Sequence, residues 1–203
     1  MLLNWPKPYL TGTNLALFLN NSPDSRQGIL KRALQEGSLI RIRRDLYLIK
    51  MNQKAVDAFE LALIIYGPSY VSLESALQFH GWIPEAVPVT TCVSTKRSRE
   101  FETPIGVFSY HHIPLTAFHI GVTQHYQNQT ILFIADPWKA VADLIYTQKR
   151  SWETMDAFAK DMRVESETIR NSDMELLNYL AENYPNERTK KELKRLIHGH
   201  RHN

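Results

Sequence analysis

The stretch LALFLNNSPDSRQGILKRALQEGSLIRIRRDLYLIK, residues 15–50, carries two helical patterns followed by two short extended ones. In the second helix Ser22 stands at the cap, Pro23 at the first helical position, and Ile29, Leu30, Ala33 and Leu34 fall on one face. The opposite face carries Arg26, Lys31, Arg32 and Gln35. Gly37 ends the helix, and Leu39, Ile40 and Ile42, then Leu46, Tyr47, Leu48 and Ile49, supply two strands with Arg43, Arg44 and Asp45 at their turn. A basic helix followed by a basic hairpin is the outline of a winged helix-turn-helix. Such a module sets its second helix in the major groove and lets the wing reach the backbone.

Charge supports that outline. The formal net charge of +3 is the sum of +6 in residues 1–54 (9 Lys and Arg, 3 Asp and Glu) and −3 in residues 55–203 (15 against 18). Basicity concentrated on one small segment is the footprint of phosphate binding, because each Lys or Arg placed on a phosphate releases counterions. With 203 residues and 43% hydrophobic content, the chain has apolar material for one good core or two modest ones. The expected division is a winged helix-turn-helix over residues 1–54 and a larger domain over 55–203, joined near Met51-Asn52-Gln53-Lys54. No apolar run approaches the roughly 20 residues that span a bilayer, and residues 1–10 lack the apolar core of a secretory signal. A soluble, cytoplasmic protein without a membrane partner is expected. Its single cysteine, Cys92, suits a reducing compartment and reads as core.

Before the helix pair, Trp5, Pro6 and Pro8 exclude a long opening helix, and Trp5 and Tyr9 are expected to pack on the small domain. Thr11 or Thr13 caps a first helix near 13–20, and Asn20-Asn21-Ser22 turns into the second. After the hairpin, residues 55–67 read as helix, and Tyr70-Val71 as the entry to a helix over 72–80 with Ser72 as its cap and His80 satisfying its last carbonyls. Val87 to Thr95 reads as a strand and Phe101 to Ile113 as a hairpin turning at Pro104-Ile105-Gly106. Lys96, Arg97 and Arg99 form a second basic patch beside them. Phe118 to Val122 and Ile131 to Ala135 are further strand candidates around a polar loop, Gln124 to Thr130. Asp136-Pro137 starts a helix on which Lys139 and Asp143 stand four apart, where a salt pair on an exposed face is expected. Helical patterns recur at 152–162, 165–182 and 187–198, with Pro185 as a breaker and a flexible histidine tail (His198, His200, His202). The fold class expected is α+β: an N-terminal winged helix-turn-helix, then a larger mixed α/β domain with a helical C-terminal third.

Several of these stretches together, GSLIRIRRDLYLI, YVSLESALQFHGW, CVSTKR and IADPWKAVADLIY, resemble the AbiEi-type antitoxins of type IV toxin–antitoxin systems. The likeness covers roughly Leu15 to Tyr146, and the order of the motifs carries its weight. It implies a winged-helix DNA-binding domain, a C-terminal antitoxin domain, repression of the chain's own operon and an opposing nucleotidyltransferase toxin, with direct contact to that toxin left open. Where such antitoxins often carry glycine at the wing corner this chain has Asp45, and where they often carry Glu before the helix lysine it has Trp138.

For DNA, Arg26 and Gln27 near the start of the second helix are expected at base edges. Ser25, Lys31 and Arg32 are expected at flanking or phosphate positions, and Arg41, Arg43, Arg44 and Tyr47 on the wing. The partner is double-stranded DNA, the chain's own promoter or operator. No glycine-rich phosphate loop, zinc motif or nucleophile elbow is present, so no catalytic residue, metal or cofactor is assigned. His111 and His112 are adjacent on a strand and face opposite ways. The alternative function is a nucleic-acid-processing enzyme, a nuclease or phosphotransferase with a winged-helix targeting domain, drawing on Asp143 and Glu192-Leu193-Lys194.

Overall fold

The computed structural model describes residues 5, 7–19, 23–50, 56–84, 88–127 and 130–200. The expected Ser22 cap, the Asn20–Ser22 turn, the 51–54 junction and His202 lie outside them. The chain opens with strand β1 (Tyr9–Thr11), helices α1 (Gly12–Leu19) and α2 (Pro23–Gln35), and strands β2 (Leu39–Arg43) and β3 (Leu46–Ile49). Thr11 caps α1 reciprocally: its Oγ1 accepts from the Asn14 amide at 3.1 Å, while Asn14 Oδ1 accepts from the Thr11 amide at 3.0 Å. Gly37 ends α2 at φ +70°, a conformation that costs glycine nothing and lets its amide donate to the Leu34 carbonyl.

β3 lies between β1 and β2, antiparallel to both. All four of its residues are buried because both faces of this small sheet are covered. Tyr47 and Ile49 pack with Leu10, Leu15 and Leu39 under the helix pair, whereas Leu46 and Leu48 join Ile42 in the larger core. Strand β1 was not legible as a strand, and Tyr9 packs against the larger core rather than the small one. Trp5 does pack on the small core, and its Nε1 donates to the Tyr9 carbonyl at 2.9 Å.

The larger part is a six-stranded mixed sheet with helices. It comprises α3 (Ala58–Ile65), β4 (Ser69–Val71), α4 (Leu73–Phe79), β5 (Val89–Ser94), β6 (Arg99–Thr103), β7 (Gly106–His112), α5 (Leu115–Phe118), β8 (Val122–Gln127), β9 (Thr130–Ala135) and α6 (Pro137–Gln148). The strand order is β6-β7-β5-β4-β9-β8, with β5–β7 and β4–β9 parallel and the other pairs antiparallel. Four expectations are corrected. Tyr70 and Val71 are a buried strand and not the entry to a helix, and Ser72 makes no side-chain cap, since its hydroxyl is engaged elsewhere. Phe118 ends a short helix instead of starting a strand. Most of the expected loop after Gln124 is the edge strand β8, whose polar residues face solvent on an uncovered edge.

Helices α7 (Met155–Met162), α8 (Ser166–Arg170), α9 (Met174–Asn183) and α10 (Glu187–His200) complete the chain. The helix expected over 165–182 is two, because Ser172 turns back on the Ile169 carbonyl and Asp173 starts a new cap on the Leu176 amide at 2.9 Å. His198 and His200 belong to α10 and are not a flexible end. The architecture is thus mixed α+β, and among the described residues no helix is long and apolar enough to cross a membrane.

Candidate nucleic-acid interface

Helix α2 turns its two faces to different surroundings. Leu30, Ala33 and Leu34 pack on the small core, while Ser25, Gln27, Lys31, Arg32 and Gln35 are exposed. Arg26 is half-buried, and with Gln27, Gly12, Asp45 and Tyr47 it lines a concavity of about 210 Å³ between α2 and the β2–β3 turn. The expected base-reading pair therefore sits at the mouth of a cleft whose far wall is the hairpin.

On the hairpin, Arg41, Arg43 and Arg44 are exposed, and a bulge between Arg41 and Arg43 interrupts the β2 register before the turn. Asp45 adopts φ +60°, the left-handed conformation that glycine takes most easily. Its carboxylate lies 3.8 Å from Arg44 Nε, an exposed pair of small energetic worth. Tyr47 differs in burial from the other expected contacts while still bordering the cleft. The residue is 4% exposed and packs in the small core, so it helps hold the hairpin on the helices.

The second basic patch packs on an aromatic cluster of the large sheet. Burial raises the Tyr110 hydroxyl's pKa, and the Arg43 charge is near enough to oppose that shift. The Tyr110 ring packs on Tyr66 and Phe101, at centroid distances of 5.2 and 5.7 Å. Lys96 sits over Tyr66 and Arg99 over Phe101, with Lys96 Nζ also donating to the Gly67 carbonyl. Tyr66 in turn donates to the Arg97 carbonyl at 3.1 Å.

The other singled-out polar residues have partners within the chain. Lys139 and Asp143 are not on an exposed face: both side chains are 0% exposed and bonded to each other. Asp143 also accepts from Tyr70 and Ser72, each at 2.8 Å, and from Tyr184 at 3.1 Å. The Lys139 ammonium lies over the Tyr70 and Tyr184 rings. Desolvation lowers the Lys139 pKa against the opposing pull of Asp143, and burial raises those of Tyr70 and Tyr184. This cluster ties β4, α6 and the end of α9 together and offers a substrate no approach. Glu192 lies in α10, bonded to Ser151 at 2.8 Å and to Arg195 at 2.9 Å. The His80 ring reaches the Ala135 carbonyl at 3.0 Å, while its backbone amide donates to the Ala76 carbonyl at the end of its own helix at 3.1 Å. His111 pairs with Ser109 and His112 with the Lys96 carbonyl. Among the described residues no three His, Cys, Asp or Glu gather as they would around a metal ion. No family model and no curated protein matches the chain.

Proposed function

We propose that this chain is a DNA-binding transcriptional repressor, with residues 1–54 as a winged helix-turn-helix and residues 55–203 as an antitoxin domain that counters a nucleotidyltransferase toxin. The observation that carries the DNA reading is the division of α2 and the hairpin. Leu30, Ala33 and Leu34 of α2 pack on the small core and the apolar hairpin residues are divided between the small and the larger core, while Gln27, Lys31, Arg32, Arg41, Arg43 and Arg44 are left exposed on the most basic segment of the chain. A helix of that kind beside a basic turn matches what a duplex requires of a reader: side chains at base edges and cations along phosphates. In this reading Arg26 and Gln27 contact bases, while Ser25, Lys31, Arg32, Arg41, Arg43 and Arg44 hold the backbone. Lys96, Arg97 and Arg99 then extend the phosphate track on the large domain.

The antitoxin part rests on the resemblance alone. Autoregulation is tested by anisotropy titration of the chain's own promoter fragment at several salt concentrations. The Arg43→Ala/Arg44→Ala pair should weaken binding to all duplexes and reduce the salt slope by about two, roughly one per lost phosphate contact. Arg26→Ala should instead change the preferred sequence. An unchanged slope in the double variant removes the hairpin from the interface. Antitoxin action is tested separately by growth rescue when the chain is co-expressed with a nucleotidyltransferase encoded beside it.

A further inference from the structure

β4 and β9 are neighbours in the large sheet, yet they pair in parallel through one residue pair only, Val71 with Ile134. Toward the starts of both strands they line a half-open cavity of about 430 Å³, whose other walls are Tyr9 of β1, helix α3 and the segment from Phe118 to the start of β8. That volume lies within the range of about 300–1,000 Å³ typical of small-molecule sites, which combine mostly apolar walls with a few placed polar groups. We propose that this cavity is a binding site for a small molecule with an apolar, ring-sized body and one hydrogen-bond donor.

The walls argue for the body of the ligand. Leu63 of α3, Phe118 at the end of α5 and Phe133 of β9 face the cavity. Phe133 is 41% exposed, so a large ring is left incompletely covered beside a recess. Two polar groups argue for the donor. Ser69 lines the cavity, is more than nine-tenths buried, and its Oγ has no hydrogen-bond partner. Buried hydroxyls are normally paired, so an unpaired one at a cavity wall marks a place for a ligand group. Glu60 lines the same space and is buried; its Oε1 accepts from Thr130 at 2.9 Å and from Lys7 at 3.3 Å. A carboxylate has acceptor sites for about four hydrogen bonds and can donate none, so capacity for a ligand donor remains. Tyr9 borders it, and burial, the Glu60 charge and a hydrogen bond to Glu60 push its hydroxyl up to about 12, so Tyr9, Thr130 and Lys7 together still leave the carboxylate short of its acceptor capacity. An anionic ligand would meet the Glu60 carboxylate unfavourably, with the Lys7 ammonium 3.3 Å away compensating part of that charge. The inference stands independently of DNA binding.

The test uses the full chain and three probes of one shape: 2-naphthol, naphthalene and 2-naphthoate, measured by equilibrium dialysis. One equivalent of 2-naphthol should bind saturably, more tightly than naphthalene and at least about tenfold more tightly than 2-naphthoate, because like charges brought together are costly. Glu60→Gln should narrow the gap between 2-naphthol and 2-naphthoate. Ile64→Trp, which fills the α3 wall, should weaken 2-naphthol by about tenfold or more while thermal unfolding shows the fold retained. Equal binding of 2-naphthol and 2-naphthoate, several weak equivalents, or 2-naphthol binding unaffected by a folded Ile64→Trp would each overturn the site. If Ile64→Trp does not fold, the selectivity change in Glu60→Gln decides alone: a gap that stays constant overturns it.

Discussion

Lys139 and Asp143 stand one turn apart on α6 and bond to each other with neither side chain exposed to solvent. The pair is asymmetric. Asp143 keeps three further donors in Tyr70, Ser72 and Tyr184, whereas the other described contacts of the Lys139 ammonium are two tyrosine ring faces. Removing the carboxylate strands a buried cation, a loss of about 3–5 kcal/mol. We expect Asp143→Leu to destabilise more than Lys139→Met, and the double variant to lose less than the sum of the two. Urea denaturation of the three variants measures this directly. Equal single losses that add would mean the two side chains act separately.

Acid sensitivity should come from two half-buried histidines. Burial lowers the folded pKa of His80 and of His111 below the ordinary 6.5, with His125 reinforcing the shift at His80 and Glu74 and Glu100 opposing it at His111. Below 6.5 the unfolded chain then binds more protons than the folded one. Stability contributed by these residues is therefore present above 6.5 and lost as pH falls through the lowered folded values. Denaturation free energies from about pH 5 to about pH 8 should fall on the acid side, and His80→Gln should flatten that limb. A steeper acid limb in His80→Gln would contradict the assignment.

What the sequence made legible, and what it hid, follows from the range of the interactions. The α2 face, the Gly37 stop and the arginine turn are local patterns, and they stand where periodicity and turn chemistry put them. β4 was misread because its three residues are all buried and lead straight into α4, so neither alternation nor length marks a strand. β8 was misread for the opposite reason: an edge strand with polar residues resembles a loop. The four-residue spacing of Lys139 and Asp143 was visible, but their burial was not. The partners that justify it lie 73, 71 and 41 residues from Asp143, at Tyr70, Ser72 and Tyr184. For the candidate interface, exposure separated Arg41, Arg43 and Arg44 from Tyr47, a distinction that residue type alone does not make.

Tyr47 gives a clean discrimination between a core role and a surface role. As a ring in the small core beside Leu10, Leu15 and Ile49, it should cost about 3–5 kcal/mol when cut to alanine. Tyr47→Phe keeps the ring and should leave both stability and duplex affinity close to the parent. Loss of duplex affinity in a stable Tyr47→Phe protein would restore the hydroxyl as a contact.

Asp45 holds a left-handed conformation and a negative charge at the arginine turn. Asp45→Gly removes both the backbone strain and the charge, though glycine also loosens the unfolded chain, so the stability gain should stay within about 1 kcal/mol. Its larger effect should be on binding. Promoter affinity at fixed salt is expected to rise roughly threefold, the size of a modest exposed charge effect. A fall in affinity would mean that Asp45 itself holds the turn in its binding shape.

Gly121, just before β8, stands against the backbone end of Lys139. Its φ is +63°, its carbonyl accepts from the Asp136 amide at 2.8 Å, and a Cβ there would lie 3.0 Å from Lys139 Cβ and 3.3 Å from Leu176 Cδ2. The Lys139 Cβ is fixed to the α6 backbone and cannot swing aside. Gly121→Ala therefore carries a conformational cost of about 1–2 kcal/mol together with overpacking of about 1–3 kcal/mol. If the clash is transmitted along α6, Gly121→Ala and Lys139→Met should couple, because both act on one backbone segment. Their double-variant cycle in urea should depart from additivity by about 0.5 kcal/mol or more. Strict additivity would confine the Gly121 effect to the turn before β8.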